Sequence, residues 1–161
     1  MRHHAALPYA KIGEFMQQLC SQAGVAARAL ELTILCATRT TETIAAEWSE
    51  INLVEKVWII PPHRMKSKRE HRVPLSQRAV DILEELNKAH GGRLVFTRPR
   101  DQAHLSNGAM PALLDRMGRG GITTHGFRST FRDWASERTT FASEAAEMAL
   151  AHTVGNKIEA A

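Results

Sequence analysis

Apolar positions along the chain change their spacing several times, and each change marks an element. Ile12, Phe15, Met16 and Leu19 recur at helical spacing, which predicts a helix that Gly24 ends. A second helix is predicted from about residue 26 to 38, with Leu30, Ile34 and Ala37 on one face. The stretch 40–47 reads as a short further helix, joined to it by a turn around Arg39. The period then drops to that of a strand. Val57-Trp58-Ile59-Ile60 is an apolar run stopped by Pro61-Pro62, and Val73-Pro74-Leu75 is a second extended piece. With a further strand near residues 48–53, these predict a three-stranded sheet whose hairpin has a charged tip.

Helical spacing returns after Ser76, a suitable N-cap, and runs to about Ala89, where Gly91-Gly92 breaks it. Leu94-Val95-Phe96 reads as a small strand or an extended connector. A helix opens at Ser106 and ends near Gly118, and others are predicted at about 124–138, 143–151 and from 155 onward. There is no internal repeat. The length of 161 residues suits one domain, with residues 1–10 as a linker leading into it. The expected class is therefore α+β, mostly α-helical, with one small antiparallel sheet.

Charge sharpens this picture more by its distribution than by its sum. The net charge of +4 is mild. Between Pro61 and Arg72, however, stand Arg64, Lys66, Lys68, Arg69 and Arg72 against one acid, Glu70. Cys20 and Cys36 lack metal-ligand spacing and read as buried free thiols of a reducing compartment. No apolar run reaches the roughly 18 residues of a membrane span, and the N-terminus lacks the apolar region of a signal peptide. A cytoplasmic protein is expected.

The most informative stretch is Thr123 to Trp134. On a helix Phe127, Phe131, Trp134 and Ala135 form a core stripe, while His125, Arg128 and Arg132 form a second one. Gly126 removes a side chain beside His125, so that another backbone or a phosphate can approach closely. A helix start carrying His and Arg also favours an anion. Spacing alone does not separate this reading from a solvated charged face.

The match to a motif does. His125-Gly126-Phe127-Arg128 resembles the His-x-x-Arg box of tyrosine recombinases, the phage integrase family, and the longer string HGFRSTFRDWASERT resembles prophage integrases. Other blocks match in order. Ala37 to Glu42 resembles the first-arginine box, and Arg64 to Lys68 with His71 to Leu75 resembles the hairpin carrying the active-site lysine. Leu150-Ala151-His152 with Val154 to Lys157 resembles the second-histidine box. The string around Trp134 speaks against the related type IB topoisomerases.

The resemblance implies cleavage of a DNA phosphodiester by a tyrosine, through a 3′-phosphotyrosine intermediate, for site-specific integration. Arg39 and Arg128 would hold the non-bridging oxygens, since guanidinium is permanently cationic and donates two parallel hydrogen bonds. Lys66, with Lys68 as the alternative, would protonate the leaving 5′-oxygen. His125 would assist proton transfer at the tyrosine, and His152 would donate to a non-bridging oxygen. Glu42 would orient Arg39, while Arg64, Lys68, Arg69, Arg72 and Arg132 would contact DNA. Double-stranded DNA is the implied partner, on which family members assemble as tetramers. No metal or other cofactor is implied, and no His-Glu-x-x-His or paired-Cys spacing occurs.

The family carries a core-binding domain before this region, then a nucleophilic tyrosine and a final helix after it. The only tyrosine here is Tyr9, so the chain is expected to stop just before the nucleophile and not to cleave DNA by itself. The alternative expectation, from another class, is a non-catalytic DNA-binding remnant that regulates an intact integrase.

Overall fold

The structure, a computed structural model, describes residues 5–89 and 91–152. Its centre is a helix that neighbours cover almost all round. This helix, α2 (Val25–Cys36), buries Ala27, Ala29, Leu30, Leu32 and Cys36, and it packs on α1 (Ile12–Cys20), α4 (Gln77–Ala89) and α5 (Ala109–Arg116). It starts behind Gly24, whose φ of 100° suits only glycine, and it ends at Ala37, whose φ of 52° is left-handed. α1 presents Phe15 and Leu19 to this core, and the Phe15 ring meets Phe127 at 5.0 Å between centroids.

Three antiparallel strands flank the helices in the order β1 (Ile51–Asn52), β2 (Val57–Ile60), β3 (His71–Pro74). Trp58 pairs with Ile51 on one side and Val73 on the other, and both Trp58 and Ile60 are fully buried. The predicted sheet is therefore present, although β1 is shorter than expected. A 3₁₀ turn at Trp48–Glu50 takes up the residues before it. The helix expected over 40–47 is likewise cut to α3 (Thr40–Ile44), because Ala45 leaves helical geometry.

α4 begins as predicted, with the Ala79 amide donating to the Ser76 hydroxyl at 3.3 Å. Leu94 to Phe96 forms no strand: it is a connector that bends at Val95 and Phe96, tied to the start of the sheet region by a single bridge from Leu94 to Glu47. α5 ends before Gly118, which has a φ of 71°. α6 (Gly126–Arg138) and α7 (Ser143–Ala149) complete the described residues. The helix predicted from 155 onward lies outside them, as do Val154 to Lys157 of the second-histidine box.

Two details depart from the expected burial. Trp134, assigned to the core stripe of α6, is 43% exposed, while Phe127 and Ala135 of the same stripe are buried. Cys20 is on an exposed position, although its thiol donates to Glu31 Oε1 at 3.2 Å. Cys36 is buried, which pushes its thiol up to about 12. Among the described residues, no helix is long and apolar enough to cross a membrane.

The segment before α1 straps down the start of α6. The Thr123 amide donates to the Ala5 carbonyl at 3.0 Å, the Thr130 hydroxyl donates to the Leu7 carbonyl at 2.5 Å, and Leu7 is buried. Gly126 lies directly beneath this strap, so the close approach that its missing side chain permits is that of a backbone. A methyl group there would overlap the Ala5 carbonyl. Gly126→Ala is therefore expected to lift the strap. Limited proteolysis should cut within the first ten residues faster than in the wild type, although alanine favours the helix by about 1 kcal/mol. Equal cutting rates would show that the strap does not depend on Gly126.

Candidate active site

Arg39 is the N-cap of α3, and Glu42 serves it twice. One carboxylate oxygen accepts from the Arg39 amide at 2.8 Å, and the other accepts from Nη1 at 2.8 Å. Glu42 is buried, whereas Arg39 keeps 21% of its side chain accessible. A buried carboxylate thus fixes the guanidinium from behind and leaves its other edge free to face a ligand.

Arg128 comes from the first turn of α6 and is only 5% exposed. Its Nη1 donates to the Ala37 carbonyl, which the left-handed turn at the end of α2 aims toward it. Its Nη2 donates to the Leu150 carbonyl at 2.5 Å and lies 3.2 Å from His152 Nε2. Burial, and then the neighbouring Arg39 guanidinium, push Arg128 down to about 10, against the pull of Glu42 and Glu147. Two cations held this close, one of them desolvated, form a site that an anion would relieve.

α7 ends two residues earlier than predicted, and that ending completes the pocket. Leu150 and Ala151 leave the helix, Ala151 with a φ of 51°, and this turns the Leu150 carbonyl and the His152 ring toward Arg128. The ring of His152 also meets Glu147, with Nδ1 at 2.6 Å from Oε2. His125 is exposed at the N-cap of α6, within the same turn as Arg128.

The basic loop between β2 and β3 divides into an anchored part and an open part. Met65 is fully buried, and Lys66 beside it is exposed. The Lys68 amide donates to the Met65 carbonyl at 3.1 Å and Lys68 has a φ of 57°, so the chain turns here. The two lysines are thus not on one side of an extended strand, although residues two apart would be on such a strand. Arg69 is exposed, and Arg72 is exposed with Glu70 at 3.5 Å.

Arg64, expected to face DNA, is turned inward. It forms a paired contact with Glu50 at 2.6 and 2.8 Å and donates to the Glu42 carbonyl at 3.1 Å. Glu50 also accepts from the Trp58 indole at 2.9 Å. Arg132 is largely exposed, but its Nε lies 3.0 Å from Glu147 Oε1.

His71 was not singled out from the sequence, yet it faces the same region. A hollow of about 340 Å³ between the basic loop and α7 is lined by Ser67, Arg69, His71, Met148 and His152, among others. Burial holds His71 below the ordinary histidine range, while Glu42 and a hydrogen bond to the Ala149 backbone draw it upward. The signal was available in the sequence: counting back by two from the apolar Val73 puts His71 on the inner face of β3.

Tyr9 is elsewhere. Its hydroxyl donates to Glu137 at 2.7 Å and accepts from Arg138 at 3.2 Å, at the far end of α6 from Arg128. Among the described residues, no group of three or more His, Cys, Asp or Glu side chains could hold a metal ion.

The pairing of a buried and a half-buried arginine with a histidine on the same guanidinium follows the order of boxes seen in the sequence. A family model described as the phage integrase family matches residues 7–158. The chain belongs to the phage integrase family. Among its curated relatives are the integrase of Enterobacteria phage P4, 31% identical over 99% of this chain and 41% of the relative, and the prophage integrase IntA of Escherichia coli K12, 37% identical over 80% and 32%. The chain therefore spans less than half the length of these integrases. Solved structures share its fold. One is a lambda integrase tetramer bound to a Holliday junction, with a TM-score of 0.71 at 16% identity over 99% of this chain and 50% of that one. Another is the XerA recombinase, with a TM-score of 0.70 at 12% identity over 92% and 56%. The expected mostly helical integrase catalytic fold with its small sheet is the fold found.

Proposed function

We propose that this chain is the catalytic domain of a site-specific tyrosine recombinase that integrates a prophage or genomic island into duplex DNA in the cytoplasm. The observation that carries this reading is the buried Arg128 guanidinium, with the His152 ring 3.2 Å from its Nη2 and the Arg39 charge acting on it. In this reading the guanidiniums hold the non-bridging oxygens of the scissile phosphate. A tyrosine hydroxyl attacks phosphorus, the bond to the 5′-oxygen breaks, and Lys66 gives that oxygen its proton. The fixed turn at Lys68 and the burial of Met65 favour Lys66 over Lys68 for this task. His125 takes part in moving the tyrosine proton, His152 donates to phosphate, and Glu42 holds Arg39. Return attack by a 5′-hydroxyl rejoins the strand, so the phosphotyrosine conserves the bond energy.

Lys68, Arg69 and Arg72 are the loop cations open to the DNA backbone, with Arg132 beside the pocket. Arg64 contributes by anchoring the loop. The attacking tyrosine is not Tyr9, which is committed to Glu137 and Arg138. The solved lambda integrase tetramer on a Holliday junction supports tetrameric assembly on DNA as the working state.

The test has two parts. Four phosphate contacts are expected to give duplex binding a slope of log K against log salt of about −3.6, and changing Lys68 and Arg69 to Gln should flatten it by roughly 2. The full-length protein, given a nicked attachment-site substrate, should form an SDS-resistant adduct to the 3′-phosphate. Salt-dependent binding with no adduct would favour the second reading, a DNA-binding module. Binding insensitive to salt would remove both.

A further inference from the structure

Glu147 stands in none of the boxes, yet its carboxylate meets the His152 ring that lies against the Arg128 guanidinium. We propose that Glu147 is a positioning residue that fixes both the proton and the orientation of the His152 ring. What the ring then does for a phosphate rests on the recombinase reading.

Two contacts agree on the state of the ring, and both hold only while the ring keeps the orientation that Glu147 gives it. A guanidinium can only donate, so His152 Nε2, 3.2 Å from Arg128 Nη2, must offer its lone pair. The proton of a neutral ring then sits on Nδ1, where Glu147 Oε2 accepts it at 2.6 Å. The other carboxylate oxygen, Oε1, is held by Arg132 Nε at 3.0 Å, so Glu147 is fixed from its far side.

The backbone enforces the same pairing. The His152 amide donates to the Glu147 carbonyl at 2.9 Å and the Ala151 amide donates to the Met148 carbonyl at 2.9 Å, around the left-handed Ala151. This is a Schellman ending, in which the helix stop itself folds the residue after the left-handed position back onto the last turn. The ring is thereby delivered to the carboxylate that binds it. To donate from Nε2 to a phosphate oxygen, the ring must carry protons on both nitrogens. Glu147 is the counter-charge for that form, with Arg128 facing the ring, Arg132 behind the carboxylate, and His71 across the hollow.

The test is long-range proton–nitrogen correlation spectroscopy of the histidine rings at an alkaline pH, with His152→Gln assigning the signal. The wild-type ring is expected as the Nδ1–H form. It should stay so in Glu147→Gln, whose amide oxygen still accepts, and in Arg132→Ala. In Glu147→Ala the ring loses the carboxylate that orients it, and it should turn Nε2 away from the Arg128 guanidinium and shift toward Nε2–H, the form that a free imidazole prefers. Strand cleavage by the full-length protein should fall about tenfold or more in Glu147→Ala and partly return in Glu147→Gln. A wild-type Nε2–H ring, an Nδ1–H ring that survives Glu147→Ala, or a tautomer change without loss of cleavage would each overturn the proposal. Failure of the wild-type protein to cleave DNA would fall on the recombinase reading instead, and the ring measurement would still decide this one.

Discussion

Replacing Arg128 with methionine is expected to remove phosphate recognition and to lower stability at the same time. Methionine keeps most of the apolar stem but none of the donors. The Ala37 and Leu150 carbonyls, both served by this guanidinium in a buried setting, lose their partner, and so does His152. Each buried polar group left without a partner costs roughly 1–3 kcal/mol. Against this stands the relief of removing a desolvated cation beside Arg39. A net loss of about 2–4 kcal/mol in urea unfolding follows. Inorganic phosphate provides the second readout. At tenfold over its dissociation constant it should stabilise the wild type by about 1.4 kcal/mol, or about 3–6 °C in Tm, and leave the variant unmoved. In the full-length protein, strand cleavage should fall by about 10²–10³, the usual effect of losing one donor to a developing oxyanion. A methionine variant of wild-type stability that phosphate still protects would show that Arg128 is not the centre of an anion pocket.

The second large effect lies outside the pocket, at Glu50. This carboxylate alone satisfies the Trp58 indole and the paired contact of Arg64, and both acceptor and donors are nearly buried. Breaking a buried pair from one side leaves an uncompensated charge, so Glu50→Ala should cost about 3–5 kcal/mol. Replacing both partners with apolar residues, Glu50→Leu with Arg64→Met, should recover the part that comes from the uncompensated charge and leave about 1–3 kcal/mol for the unpaired Trp58 indole. The doubly changed protein then separates folding from function. Arg64 stands two residues before Lys66 and ties the loop to the Glu42 carbonyl, so without it the loop loses its mooring while the core stays intact. Cleavage of ordinary DNA should fall by about 10² or more, as when a general acid is lost. Cleavage of a substrate with sulfur in place of the leaving 5′-oxygen should be largely spared, because a thiolate leaves without a proton. If both substrates suffer equally, the mooring of Lys66 is not what Arg64 provides.

The sequence was most legible where one residue sufficed to set a feature. Gly24, Ser76 and Pro61-Pro62 announce their boundaries through backbone chemistry, and helical periods gave α1, α4 and α6 within a few residues. The pocket was legible only as far as its boxes. Arg39 with its partner Glu42, Arg128 and His152 could be named, but the partners of Arg128 and His152 could not. Arg64 looks like any member of a basic cluster until the fold brings Glu50, fourteen residues earlier, against it. A charge count cannot tell a cation that meets solvent from one that meets a buried carboxylate. Trp134 shows the reverse error, since an apolar stripe drawn on a helical wheel says nothing of where the neighbouring surface stops. Glu147 escaped notice because its importance comes from the way α7 ends, and a left-handed alanine leaves no mark in composition.

The strap and the pocket are closed by links between distant parts of the chain, and this bears on the order in which the molecule is made. The Arg128 guanidinium reaches a carbonyl 91 residues earlier, and the Thr130 hydroxyl reaches one 123 residues earlier. Contacts of such separation come late in folding, because a long loop must close before they are rewarded. On the ribosome the order is stricter still, since neither contact can exist until α6 has emerged. A nascent chain would thus carry its exposed basic hairpin first and its phosphate grip last. On the proposed reading it could touch nucleic acid loosely during synthesis, but it could not hold a phosphate in place until α6 and α7 had joined the first helices.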